Sequence, residues 1–373
     1  MTAITSSSTI GITLSSPTYV NPIVVNPSVT VSSSGDGIVG FVGVWAIENY
    51  GSIASTSTFG SGIALFSDGT VVNDGSIAGT GADGYGVLLD SGGSFTNAAS
   101  ASITGSRNAV AVHLGSGTVV NDGSITSTGL AVSLASGGSV TNAASASITG
   151  AGGGVFIGGG VGIVLNDGNI AGTGTEATGV SVYYGGSVIN AASASITGYS
   201  GVEVGGFSAT SAGTVVNSGR IAGTGTSGTG VYLRAGGAVT NATSASITGV
   251  QNGVEINGII ATVTNYGSIS ATGTVGIGVF LDSGGAVTNA ASDAIISGFE
   301  AVLIDGSAGT VANYGTITGT TGVELNSVVS QSWWKLALAH SPAGSAYRVM
   351  QRDQCIEERA PQRVSAIRPP CAW

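Results

Sequence analysis

Residues 70–79 read TVVNDGSIAG, from Thr70 to Gly79, and close copies of this stretch return along most of the chain. Aligned on the asparagine, Asn49, Asn73, Asn97, Asn121, Asn142, Asn166, Asn190, Asn217, Asn241, Asn265, Asn289 and Asn313 fall into one register. The step is 24 residues in nine of the eleven intervals, with one of 21 and one of 27. A repeat of that period marks a solenoid, in which each copy is one turn of a coil.

Two residues before each asparagine stands an apolar side chain, as at Ile47, Val71, Phe95 and Val119, while the residue between varies, as at Val72 or Thr96. Side chains alternate along a strand, so the apolar residue and the asparagine face inward and the variable one faces out. A turn follows and then an isoleucine, as at Ile77, Ile103 and, in the last two copies, Ile295 and Ile317. The turn has two forms, N-x-G-x-I as in NDGSI from Asn73 and NAASASI as from Asn97, which alternate from Asn73 onward. A third apolar pair completes the copy, for example Val87 with Leu89, Val132 with Leu134, Val231 with Leu233 and Val279 with Leu281.

Each copy therefore holds three short runs of strand-forming residues separated by Gly, Ser, Asn and Thr, and helical spacing is sustained nowhere in the repeats. No such coil buries enough apolar surface to fold alone, whereas a stack shares its core and its inter-coil hydrogen bonds. The expected fold is all-β: a right-handed parallel β-helix of about twelve 24-residue coils with three short strands per coil. The hand comes from the general handedness of parallel crossovers. The inward asparagines are expected to form a ladder of side-chain amides.

Three segments follow from the pattern. Residues 1–46 lack the asparagine register, carry Pro22 and Pro27, and read as an N-terminal cap with one degenerate coil. No basic start followed by an unbroken apolar run opens the chain, so no secretory signal is visible. Residues 47–326 are the β-helix repeats. Residues 327–373 break the pattern in mid-coil and hold six of the nine Lys and Arg residues, both cysteines and three of the four tryptophans. That tail reads as a frameshifted or disordered segment, with an amphipathic cap around Trp333 to His340 as the competing reading. The 27-residue step contains GGFSATSAG, expected to project as a loop with Phe207 at its tip.

The chemistry is sparse. Only 8% of residues are charged, and residues 1–326 carry Arg107, Arg220 and Arg234 against sixteen acidic residues, a net of −13. Nucleic acid is a poor partner for such a surface. The stretch at 152–165 is too short and too rich in glycine for a transmembrane segment. His113 and His340 do not form a pair, and Cys355 and Cys371 have neither zinc spacing nor a C-x-x-C motif, so no metal or cofactor is expected. Asp74, Asp122 and Asp167, each following a ladder asparagine, are the nearest thing to the carboxylate pair that glycoside hydrolysis needs, but aspartate before glycine is ordinary turn chemistry. No catalytic residue is assigned. One outward column in the third strand alternates between Leu88, Phe156, Tyr232, Phe280 or Leu303 and Ser133, Ser181, Glu203, Glu255 or Glu324, which makes it a candidate contact surface.

The repeats T-V-x-N-x-G-x-I and V-T-N-A-A-S-A-S-I-T-G, over about residues 47–326, resemble the passenger regions of bacterial autotransporters and related β-helical surface adhesins. The resemblance implies export to the surface of a Gram-negative bacterium and display of a rigid stalk, although neither a secretion signal nor a C-terminal membrane barrel is seen here. The function expected from it is a non-enzymatic cell-surface or secreted stalk or adhesin. Its partners would be a host or matrix surface, a polysaccharide or other cells. A carbohydrate-active β-helix enzyme, hydrolase or lyase, and a non-functional gene fragment are the alternatives.

Overall fold

The computed structural model describes residues 1–206, 211–259, 261–326, 335–338, 346–351 and 354–359. The described elements are all strands, in three sheets that are parallel apart from one terminal antiparallel pair and are wound as a β-solenoid of about 13 turns. Residues 1–199 and 200–373 form two compact units, each built from the same three-sided coil.

In the first unit one coil runs through Gly69–Asn73, Ser76–Gly79 and Tyr85–Leu89 and is followed by Gly93–Asn97, Ser102–Gly105 and Asn108–Val112. Equivalent residues pair: Val71 with Phe95, Asn73 with Asn97, Ile77 with Ile103, Val87 with Val110. The second unit repeats the scheme with Val215 opposite Val239, Ile221 opposite Ile247 and Val231 opposite Val254. Val71, Ile77, Val87, Leu89 and their counterparts are all but inaccessible, while Thr70, between the core positions, is exposed. The two-residue alternation read from the sequence is therefore the real division between core and surface.

The ladder asparagines are 0–1% exposed. In the first unit Nδ2 of Asn49 donates to Oδ1 of Asn73 at 2.7 Å, and the same bond recurs at 2.8–2.9 Å from Asn73 through to Asn190. In the second unit it runs from Asn217 to Asn313 at 2.8 Å per step. Each amide also closes its own turn: Nδ2 of Asn73 lies 3.2 Å from the Gly75 carbonyl, and Nδ2 of Asn97 lies 3.3 Å from that of Ala101. Burying an amide without partners is costly, and here the repeat supplies the partners.

The two turn forms are interchangeable because Gly75 and Ala101 do the same work. Ser102 N–H donates to Gly75 O, and the added residues Ala99 and Ser100 lie exposed outside the coil. Some long turns hold a serine in left-handed backbone, at φ 70° for Ser145, 69° for Ser193 and 64° for Ser244. The conformation costs a non-glycine residue about 1–2 kcal/mol. At the entry to the first-sheet strand the constraint is absolute: Gly138 has φ +132°, and a Cβ there would stand 2.0 Å from Gly117 O.

One core assignment is corrected. Ile295 was expected to face inward after Asn289, but it is 41% exposed and Ile296 is fully buried. The turn from Asn289 has one residue more than its counterparts, so Ile296 pairs with Ile269 and Ile317. The bond from Asn289 Nδ2 correspondingly reaches Ala294 O, five residues on instead of four.

Strands continue before residue 47. Thr2–Ile4 pairs with Ile23–Val25, which pairs with Trp45–Asn49; Ile12–Leu14 pairs with Ile38–Gly40, and Thr30–Ser33 with Ser52–Ser55. The ladder position is filled there by Val25, opposite Asn49, and by Ile4, opposite Val25. Pro22 and Pro27 flank the strand instead of interrupting it. At the other end Lys335–Leu338 pairs with Gly309–Asn313, and Ala346–Gln351 pairs with both Thr321–Asn326 and, antiparallel, Gln354–Arg359. Phe207, the Trp333 to His340 cap apart from residues 335–338, and Cys371 lie outside the described residues.

Candidate functional site

Asp74, Asp122 and Asp167 are exposed on the turns that follow ladder asparagines. Their backbone N–H groups donate to Asn49, Asn97 and Asn142 carbonyls at 2.8 Å, which fixes each turn to the preceding coil. Since the coils of Asn97 and Asn142 intervene, the carboxylates sit two coils apart, about 10 Å. They form a spaced surface row and do not converge on one point.

His113 gains a partner that sequence reading did not assign. Its Nδ1 lies 3.0 Å from Oδ1 of Asp90 on the adjacent coil, with the two side chains about one third exposed. The Tyr85 ring meets His113 edge-on at 6.0 Å, and the Arg107 guanidinium lies 5.7 Å over the same Tyr85 ring. Among the described residues no three His, Cys, Asp or Glu side chains come together as a metal site, and no helix is long and apolar enough to cross a membrane.

The outer face of the third sheet differs between the two units. In the first unit the column is apolar over its earlier coils and then continues through Ser133, Phe156 and Ser181. Val39, Ala64, Leu88 and Ala111 stack along it, Tyr85 lies against them, and Leu88 is left only 9% exposed. Of the apolar residues the sequence placed in this column here, Leu88 is covered by its neighbours and Phe156 is half-buried.

In the second unit the same column reads Glu203, Tyr232, Glu255, Phe280, Leu303 and Glu324 on successive coils. Residues of the flanking columns tie it together. The Arg234 guanidinium lies 4.2 Å over the Tyr232 ring, its Nη1 donates to the Tyr232 hydroxyl at 3.4 Å, and its Nη2 is 3.7 Å from Oε2 of Glu203. Both oxygens of Glu255 accept amide bonds, Oε2 from Asn252 at 2.7 Å and Oε1 from Asn257 at 3.2 Å. Asn257 Nδ2 also donates to the Tyr232 hydroxyl at 2.9 Å. Burial, followed by the Glu255 charge, pushes the Tyr232 phenol above its ordinary pKa, against the opposing pull of Arg234. Along the same face, burial and then the Glu324 carboxylate raise the Glu300 pKa.

The first unit also has an open cleft of about 770 Å³ near its N-terminus. Leu14, Tyr19, Val20, Phe41, Val42, Val44 and Trp45 contribute most of its wall. Asn21 braces it through Nδ2 to Val44 O at 2.6 Å and Oδ1 from Ala46 N–H at 2.9 Å, and the Trp45 indole N–H donates to Val42 O at 2.9 Å. Phe41 stacks on Phe66 at 5.3 Å. No charged residue lines this cleft. Its residues come from different coils, so no contiguous motif announces it.

No protein-family model, curated protein or solved structure shows significant similarity to this chain.

Proposed function

We propose that the chain is a non-enzymatic β-solenoid that acts as a cell-surface or secreted stalk or adhesin, of the kind seen in autotransporter passengers. The observation that carries this reading is the fate of the repeated polar residue. Within each unit the ladder asparagines turn inward and bond from one coil to the next, so the repeat builds a self-supporting scaffold and leaves the outward positions free to vary. An acidic, weakly charged surface suits contact with cells, matrix or polysaccharide better than contact with nucleic acid. The test is adherence of beads coated with the purified chain to cells and matrix, together with surface labelling of the producing cell. Adherence without chemical change in the target supports the reading; release of sugar from a polysaccharide panel contradicts it.

A carbohydrate-active enzyme is the second reading; its candidate carboxylates are Glu203 and Glu255, two coils apart on either side of Tyr232, a spacing of about 10 Å that lies at the upper limit for an inverting hydrolase. For that reading, release of reducing ends is abolished by Glu255→Gln.

A further inference from the structure

We propose that the outer face of the third sheet in the second unit, centred on Tyr232 and Glu255, binds a linear, uncharged polysaccharide lying along the coil axis. The proposal rests on the adhesin reading and names the ligand class for it. Three observations lead to it.

The face combines carboxylate and hydroxyl acceptors with amide and guanidinium donors. Glu203, Glu255 and the Tyr232 hydroxyl accept, and Arg234 with the amides of Asn252 and Asn257 donates. The Oδ1 atoms of Asn252 and Asn257 are buried and have no donor, and Asn252 is only 3% exposed while its amide is bonded to Glu255 at the centre of the face. Those two atoms are sealed from solvent, but a carboxylate has about four acceptor positions, and Glu255 uses two of them and Glu203 one, so the column keeps acceptor positions for a ligand that supplies hydroxyl donors.

Ring surfaces lie in the same row. Tyr232 and Phe280 flank Glu255 on its two sides, two coil steps or about 10 Å apart. Arg234 covers one face of Tyr232, so the opposite face of that ring and the Phe280 ring are what the row offers to sugar rings, with the Glu255 acceptors between them for the hydroxyls. A single small molecule would engage one ring, whereas an extended polymer engages both.

Charge narrows the ligand further. Glu203, Glu255 and Glu324 share the column, so a polymer of uronate or sulfate groups meets like charge. A lysine-rich peptide is disfavoured for a different reason. The cation position over Tyr232 is already taken by Arg234, held there by Glu203. What remains is a neutral chain.

The test is affinity electrophoresis of the full chain in gels carrying hydroxyethylcellulose, galactomannan or dextran, with polygalacturonate and polylysine as charged comparisons. Retardation is expected in at least one neutral gel, changing less than about twofold when salt is raised, since no counterions are released. Tyr232→Leu and Phe280→Ala, each checked for an unchanged unfolding transition, should weaken retention by roughly tenfold. Glu255→Gln, which keeps the shape, should weaken it as well. Retardation by polygalacturonate or polylysine alone, no retardation in any neutral gel, or retention indifferent to both ring substitutions overturns the proposal. Cell adherence is measured on the same variants. Adherence that survives loss of glycan retention overturns the claim that the glycan is the adhesin's ligand and leaves the adhesin reading. Glycan retention without any adherence supports the site and removes the adhesin reading.

Discussion

Asn121 donates from Nδ2 to Oδ1 of Asn142 at 2.8 Å although these two residues are separated by 21 positions instead of 24. The three missing residues are taken from the corner between the second and third sheets. Ser124–Ser127 is followed at once by Leu130–Leu134, whereas Ser76–Gly79 and Tyr85–Leu89 are joined by a longer link. Length changes are absorbed where the chain turns in solvent, and the ladder keeps its spacing. A buried amide with fixed partners tolerates no slip, and a corner does.

Asn121→Ala should therefore be among the most damaging polar substitutions. It removes the donor to Asn142 Oδ1 and to the carbonyls of Gly123 and Ser147, and the acceptor for Asn97 Nδ2. The expected loss is about 2–5 kcal/mol, because buried groups are left without partners. Urea unfolding measures it, with Asp122→Ala as the comparison. Asp122 is exposed on the next position, and its loss should cost no more than about 0.5 kcal/mol.

Ile295 and Ile296 should respond oppositely to truncation. Ile296→Ala opens a cavity between Ile269 and Ile317 and should cost about 2–5 kcal/mol. Ile295→Ala trims a side chain that is 41% exposed, and its unfolding midpoint should stay close to that of the parent. Equal losses at both positions would contradict the register.

The pair shows what sequence reading can and cannot reach. The asparagine register and the apolar residue two places before it were legible, because a parallel stack repeats one environment at one spacing. Two adjacent isoleucines carry no sign of which faces inward, and a one-residue lengthening of the turn decides it. The segment around Ile23 and Val25 was legible as irregular strands of a cap, but its regular coil register was not, since an alignment keyed to asparagine does not see a coil with valine at that place. On the outer face, Tyr232 and Glu255 were visible as one column. Arg234, Asn252 and Asn257 were not, because they reach the column from flanking positions. The Asp90 and His113 pair likewise joins two coils that no local motif connects.

Glu300 gives the stability a pH signature. Burial, then the Glu324 charge, raises its folded pKa above the unfolded value. The folded chain therefore binds the proton more tightly, and this residue's contribution to stability falls as pH rises from the ordinary glutamate range through the raised value. Glu300→Gln should raise the unfolding midpoint relative to the parent at neutral pH, and the gain should shrink as the solution is acidified below the ordinary glutamate range. Urea midpoints of both proteins across that interval provide the check. A gain that grows on acidification would mean that the sign is wrong.

Distances between outward residues of one column in the first unit test the coil stack itself. Thr70, Ser94, Thr118, Ser139, Ile163 and Ser187 occupy equivalent positions on successive coils. With Cys355 and Cys371 replaced by serine, spin labels at residues 70 and 187 are read by pulsed dipolar spectroscopy. Five steps place the two backbones about 24 Å apart, and labels at 70 and 163 about 19 Å apart, so narrow distributions differing by one coil step are expected. A broad distribution centred near about 60 Å, the span of an unstructured chain of that length, or distances that do not grow with the number of coils, would contradict the stacked solenoid.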